Sequence, residues 1–458
     1  MMTGKEGSAT MRLVEIHPAR RGIGGTGRLP YSKPHMQRAI LLSLLTNAPS
    51  IIVNPAWSSE AEKLFTAARQ FGLDVLHDEA GKLIVSGVGR SLRAGRAPVP
   101  VAGSAFNFRT LAALACLSSH ETVIEGDTSM FARPVREHMG FIGDLGGRFE
   151  DVSDSRRLRV RIHGTRRLGG RTTVDTRHSS QVLTAVLLVA PLARRAIRVD
   201  CTDDPVGQGY VDLTLQMMRE QGAVVEQDGR SFTITPSAYQ SRIHRVASDF
   251  TALSYLAGAV ATADHGEIAV AGYQRSSLSS EAEFFEVLEA LGVRAEHDRV
   301  SGELRLRRTS PGSASIEIDG GNIPTVVPTL AAIAPFVEAK VTLRNAAQVN
   351  NHKCPRISVM IGELRRMGCA IEPTYGADGE VDGFATAGRQ APAGGVTVDS
   401  HGDHRIFLSL ATAALGARRP TSIEGVQHLH ASFPDYLEVM EGLGVRVVTG
   451  HTRVQVAN

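Results

Sequence analysis

At 458 residues the chain is too long for one ordinary hydrophobic core, so two or three domains are expected. The apolar share of 42% and charged share of 21% are those of a soluble globular protein, and a net charge of only +3 from dispersed basic residues argues against a nucleic-acid surface while leaving room for a local anion pocket. Aromatic residues make up only 5%, with a single tryptophan, Trp57, too few for stacking platforms along a single strand. Cys116, Cys201, Cys354 and Cys369 form no C-x-x-C pair and no metal-ligand spacing, so no metal is expected and a reduced, cytoplasmic setting fits best. The first 28 residues lack a signal-peptide core, and no run approaches the ~18–20 apolar residues of a membrane span.

In chain order, Lys33 and Arg38 come first, at the N-terminal side of the first long helix, QRAILLSLLT. Basic side chains there lie beside free backbone N–H groups and can hold an anion; the alternative is a solvated basic face. Next, LFTAARQFGLDV reads as an amphipathic helix stopped by Gly72 and followed by an alternating strand. The same helix–glycine–strand pattern recurs in MGFIGDLGGRFE, LTLQMMREQGAVVE, FFEVLEALGVRAE, IGELRRMGCAIE and YLEVMEGLGVRVV. Its glycines are Gly146, Gly222, Gly292, Gly368 and Gly444, a period of roughly 75 residues. Glycine suits a helix end because a left-handed residue there costs it no Cβ clash. One such pattern is commonplace in α/β proteins; six at near-constant spacing are not.

A second helix lies upstream in most units, as in SQVLTAVLLVAPLA, DFTALSYLAGAVA and HRIFLSLATAALGA. Each unit therefore holds two helices and several short strands, and six units suggest two domains of three. Ser179, Ser180 and Gln181 open one of these helices, where hydroxyls can cap the backbone, surround a phosphate, or do both.

Five motifs, in order and at corresponding unit positions between about Leu29 and Val448, resemble the EPSP synthase family. They are SK…R at Ser32–Arg38, RP at Arg133–Pro134, SSQ at Ser179–Gln181, GDHR at Gly402–Arg405 and SFPDY at Ser432–Tyr436. The resemblance favours the shikimate-type enzymes over their UDP-sugar relatives. It implies an α/β (α+β) fold, a two-domain inverse α/β barrel of six βαβαββ repeats with the active site in the interdomain cleft. One domain is expected over 31–245, carrying most phosphoshikimate-binding residues. The other is expected over 1–30 plus 246–458, carrying Lys353, Arg356 and Arg405. A monomer without cofactor or metal is the family expectation.

By the same resemblance, Lys33 contacts substrate phosphate or phosphoenolpyruvate and Arg38 holds the shikimate carboxylate. Ser179, Ser180 and Gln181 bind the 3-phosphate of 3-phosphoshikimate, Tyr210 lies against that substrate, and Gln348 and Lys353 complete the set. Arg133, Arg356 and Arg405, with His404, surround phosphoenolpyruvate; arginine's planar fork suits carboxylates and phosphates. A buried structural histidine is the plainer reading of His404. The family's serine after the lysine is Pro34 here, and the one near Tyr210 falls on Gly207 or a neighbour.

The acid–base positions depart from the family. Its aspartate after proline is Thr325, its glutamate in K-E-x-D-R is Cys354 in the shortened K-C-P-R, and its lysine before SFPDY is Ala431. Its glycine-rich G-N-A-G-T-A-M-R reads GSAFNFR, so Phe106 or Phe108 is expected to fill room used by phosphoenolpyruvate. Loss of one acid–base group commonly costs ~10²–10⁴-fold in rate, and three positions are changed here. Anion-binding groups persist, so 1,4-elimination of phosphate from 3-phosphoshikimate or a close analogue is the favoured reaction. Lys353 or His352 is then the expected base, with Lys33 and the serines stabilising the leaving phosphate. The alternatives are enolpyruvyl transfer from phosphoenolpyruvate and a non-catalytic binding homologue.

Overall fold

The computed structural model describes residues 10–453, except 80, 94–96, 166, 178, 277–278, 299 and 352. Six four-stranded sheets share one plan. In the second repeat, strand Val99–Ala102 leads through helix Ala105–Leu117 to the parallel strand Glu121–Gly126. A hairpin of Arg148–Asp151 and Leu158–His163 then returns, its second strand lying antiparallel to Glu121–Gly126. The first pair is parallel because a helix carries the chain back to the same end of the sheet before the next strand begins. All six repeat glycines have positive φ, from +82° at Gly292 to +108° at Gly72, so the helix ends use the conformation that glycine alone adopts without strain.

Three sheets are completed by strands distant in sequence. Ile243–Arg245 pairs with Ser50–Val53, Ile23–Gly27 pairs with Gly266–Val270, and Thr10–Ile16 lies between Thr421–Glu424 and Val447–Arg453. These pairings divide the chain into two compact units. One is Tyr31–Ser248 with Arg275–Ser280; the other holds the chain up to Pro30, Asp249–Gln274 and everything from Glu281. The boundary falls at Ser248 rather than at 245 because Ser32 N donates to Ala247 O at 2.7 Å and Tyr31 bridges to Ser248.

Each unit keeps its long apolar helices inside. Helices Lys33–Leu44, Ala105–Leu117 and Gln181–Val189 are mostly buried in the first unit. Phe250–Thr262, Val327–Ile333 and His404–Gly416 are the counterparts in the second, and every residue of 250–262 is buried. Such helices are apolar all round because they have no solvent face. Pro191 stops the α-helix of SQVLTAVLLVAPLA at Val189, and Ala190–Leu192 continues as a 3-10 turn. The segment around MGFIGDLGG forms only a 3-10 turn, Glu137–Met139, and the short helix Gly140–Asp144, since Gly140 and Gly143 weaken it. Among the described residues, no helix is long and apolar enough to cross a membrane.

Buried hydroxyls join the helices of the second unit. Ser254 Oγ lies 3.0 Å from Thr329 Oγ1, which lies 3.4 Å from Ser409 Oγ. Gly258 permits this close approach, for a Cβ there would stand 2.6 Å from Thr412 Cγ2. Gly258→Val is therefore expected to lower stability by about 1–3 kcal/mol through overpacking. Gly258→Ala should lose less, because alanine recovers up to about 1 kcal/mol of helix propensity. Urea unfolding checks both; a valine variant with an unchanged midpoint would show that the helices can part freely.

Candidate functional site

In the Tyr31–Ser248 unit the first helix begins at Lys33, four residues before the apolar run, because Pro34 fits the first turn and Ser32 caps it, accepting from His35 N at 3.4 Å. Lys33 Nζ lies 3.1 Å from Glu60 Oε2, with 17% and 25% of the two side chains exposed, so the lysine is held in place while keeping a solvent-facing edge. Arg38 is nearly fully buried. It donates from Nε to Thr214 Oγ1 (2.8 Å), from Nη1 to Pro34 O (3.0 Å) and from Nη2 to Tyr210 O (3.0 Å), and stands 5.4 Å from the Phe106 ring centroid. Burial pulls its pKa down to about 10, with Tyr210 opposing, so it stays charged. These three bonds tie the Tyr210 segment to the first helix and leave one N–H on each terminal nitrogen for a ligand.

Tyr210 follows a left-handed Gly207, φ +67°, where a Cβ would come within 3.3 Å of the tyrosine ring. A side chain at position 207 would therefore be disfavoured for both backbone and steric reasons. Ser179 Oγ accepts from Gln181 N at 3.3 Å, so Ser179 does cap its helix. Ser180 is buried, and its hydroxyl makes no capping bond. Gln181 Oε1 accepts from Arg109 Nη1 at 2.7 Å, which leaves the amide NH₂ as the end able to donate to a ligand. Arg109, the last residue of GSAFNFR, is not among the site residues expected from the sequence. It is buried, also meets His138 Nδ1 at 3.0 Å, and is drawn down to about 10 by burial and then by the charge of Arg133. A lone arginine in the apolar stretch FNFRTLAALA was the signal for it. Of the two phenylalanines, Phe108 is wholly buried and Phe106 is the one beside Arg38.

In the other unit Asp403 is fully buried and caps helix His404–Gly416, its Oδ1 accepting from Arg405 N at 2.8 Å. Its Oδ2 accepts from Arg356 Nε at 2.9 Å and lies 2.8 Å from Arg356 Nη2. Burial raises its pKa, but Arg356 and then His404 outweigh that and hold the carboxyl far below the usual carboxylate range. Arg356 is thus committed largely to Asp403. Arg405 donates to Thr325 O at 3.2 Å, and Thr325 Oγ1 accepts from Thr251 Oγ1 at 3.1 Å. His404 is buried beside Asp403.

Burial pushes the half-buried Cys354 thiol up to about 11, so it is neutral near pH 7 and supplies neither a carboxylate nor a thiolate. Lys353 is exposed, and its charge reaches His428, which burial and then Lys353 hold below the ordinary histidine value. Gln348 sits on the 3-10 turn Ala347–Asn350 with a buried Nε2 that has no partner among the described residues. Ala431 ends the turn Val426–Ala431. His352 lies outside the described residues. The first unit thus gathers cations and hydroxyls at helix N-termini, and the second has Arg405 and Lys353. The three positions of expected proton transfer hold a hydroxyl, a neutral thiol and a methyl.

A family model described as EPSP synthase (3-phosphoshikimate 1-carboxyvinyltransferase) matches residues 19–440. The 3-phosphoshikimate 1-carboxyvinyltransferase of Methanoculleus marisnigri is 32% identical over 426 residues, covering 91% of this chain and 96% of its own. That of Halorubrum lacusprofundi is 28% identical over 467 residues, covering 95% and 98%. Among solved structures, EPSP synthase from Acinetobacter baumannii aligns over 96% of this chain and 100% of its own, with a TM-score of 0.79 and 21% identity. The enolpyruvyl transferase NikO from Streptomyces tendae aligns over 97% and 100%, with a TM-score of 0.71 and 18% identity. At these identities the two structures speak for the fold alone.

Proposed function

Because the chain belongs to the EPSP synthase family, we propose that this family enzyme acts on 3-phosphoshikimate or a close cyclic phosphorylated carboxylate, and that its reaction is elimination of the phosphate. One observation carries the choice: Thr325, Cys354 and Ala431 stand where enolpyruvyl transfer needs an aspartate, a glutamate and a lysine, while the phosphate-side groups Lys33, Ser179, Ser180 and Gln181 are kept. In the elimination a base removes a proton from ring carbon 6. The C–H electron pair forms a C6–C1 double bond, the C1–C2 double bond shifts to C2–C3, and the C3–O bond breaks. Phosphate departs with that electron pair, leaving a cyclohexadiene carboxylate; no second substrate is consumed.

Lys33 and the Gln181 amide would offer N–H donors to the phosphate oxygens as charge gathers there, which is where electrostatic stabilisation counts most. Lys353 is the candidate base, with His352 beside it in sequence. Enolpyruvyl transfer remains the second reading, favoured by what the curated relatives are named for. Incubation with 3-phosphoshikimate, with and without phosphoenolpyruvate, separates the two. Phosphate release and loss of that mass without phosphoenolpyruvate is the expected result, with Lys33→Ala lowering kcat/KM by ~10²-fold. Product formed only with phosphoenolpyruvate would replace elimination by transfer.

A further inference from the structure

We infer that the Tyr31–Ser248 unit carries a second anion site, beyond the end of helix Gln181–Val189 that lies opposite Ser179–Gln181, the start given to the substrate in the reading above. Where helix Ala105–Leu117 and the turn Ala190–Leu192 end, a cavity of about 370 Å³ opens, lined by Arg90, Arg93 and Arg194. Helix 105–117 places it roughly 20 Å from Ser104 at 1.5 Å per residue. Among the described residues no carboxylate lines the cavity, and none of the three arginine side chains makes a hydrogen bond or ion pair. Ser91, Ser119 and His120 add further donors over an apolar floor that includes Leu168.

The second unit shows what this position looks like when its charge is balanced internally. Its cavity of about 170 Å³ lies where helix Phe250–Thr262 and the turn Ala334–Phe336 end, and it too contains arginines, Arg308 and Arg389. There Arg389 pairs with Glu338 at 3.1 Å and Asp264 at 3.8 Å, and Arg308 donates to Ala263 O. The repeats bring these places into register. APLAR at Ala190–Arg194 matches APFVE at Ala334–Glu338, which sets Arg194 opposite Glu338. Counting back from the strands that begin at Glu121 and Gly266 sets Ser119 opposite Asp264.

Both carboxylates of the neutral cavity are therefore replaced in the larger one, by a hydroxyl and by a further arginine. Three guanidinium groups around one concavity repel each other unless an anion joins them, and their planar forks match phosphate oxygens. The ligand class is a small phosphate-bearing metabolite of two or more negative charges, in a space suited to a compact molecule.

The test uses the full chain and inorganic pyrophosphate, followed by calorimetry and by thermal melting against chloride at equal ionic strength. Wild type should bind at two sites. Lys33→Gln should lose one, and Arg90→Gln/Arg194→Gln should weaken the other by about tenfold or more. Arg194→Glu with Ser119→Asp, which copies the second unit's arrangement, should abolish that site and still fold. Pyrophosphate should raise the wild-type Tm by a few degrees, and less in the arginine variants. Arginine variants that bind like wild type would overturn the inference. So would variants that melt early without pyrophosphate while pyrophosphate leaves wild type unmoved, for the arginines would then merely serve the helix ends. Neither outcome depends on which reaction the enzyme performs, since no turnover is read.

Discussion

Asp403→Ala is expected to destabilise the second unit by about 3–5 kcal/mol, near the top of what single substitutions do. The carboxylate is fully buried and receives two donors of Arg356, itself 5% exposed. Removing it leaves a buried guanidinium uncompensated, and it also frees the Arg405 N–H that Oδ1 caps. Loss of the cap alone is worth about 1 kcal/mol, so most of the cost lies in the orphaned charge. Asp403→Asn keeps an oxygen for the cap and should lose less. The double change Asp403→Leu/Arg356→Met removes both charges and should recover much of the loss, since a buried pair contributes little net stability over well-packed apolar groups. Urea unfolding of the set decides the matter. If Asp403→Ala unfolded at the wild-type midpoint, the pair would not be holding the helix start, and the reading of Arg356 as a tied residue would fall with it.

Acid should begin to weaken the Tyr31–Ser248 unit below pH 6.5, before most carboxylates titrate. Burial, then the charge of Arg38, pulls His35 down to about 4; burial, then His35 and Arg242, does the same to His244. His35 Nδ1 also accepts from Ala247 N at 3.3 Å, a bond that requires an unprotonated ring nitrogen. Above pH 6.5 both rings are neutral whether folded or not and add no pH dependence. As pH falls below 6.5 the unfolded chain takes up protons that the folded one refuses, so stability is lost progressively down to about 4. Each fully buried histidine contributes up to about 1.4 kcal/mol per pH unit, and the partial exposure of His35 reduces its share. Together they should remove about 3–5 kcal/mol over that window. The check is the urea midpoint between pH 7 and 5, which should fall in wild type and flatten in His35→Gln/His244→Gln. A parallel decline in both would assign the acid sensitivity elsewhere.

The repeat was legible because its mark is local. A left-handed helix end asks for glycine wherever it occurs, and Gly72 through Gly444 announce it without reference to any partner. Helix limits were less legible where a proline or glycine sat within an apolar run, as at Pro191 and Gly140. The limits of the two units were not legible, since they depend on a backbone bond from Ser32 to Ala247 and on Arg275–Ser280 joining the first unit, which no pattern reveals. The motif residues were readable as types but not as roles. Arg38 looked like a ligand group, and most of its donors serve Thr214, Pro34 and Tyr210. Arg109 closes the GSAFNFR stretch, but nothing local shows that it orients Gln181, since that contact spans 72 positions of sequence. Which of Phe106 and Phe108 faces Arg38 follows from helix phase, which starts at the Ser104 cap.

The pairing of Thr10–Ile16 with Val447–Arg453, register Thr10 to Arg453, has a consequence for how the protein is made. Thr10–Ile16 and Ile23–Gly27 leave the ribosome long before the strands they pair with. They must wait, unpaired, while the intervening chain is translated. Meanwhile nearly all of the Tyr31–Ser248 unit is available once Ser248 has emerged, so it can fold early and alone. A permuted gene that encodes residues 10–30 downstream of Val447–Arg453 would abolish the wait. It should raise the fraction of chains that reach the native state during rapid synthesis.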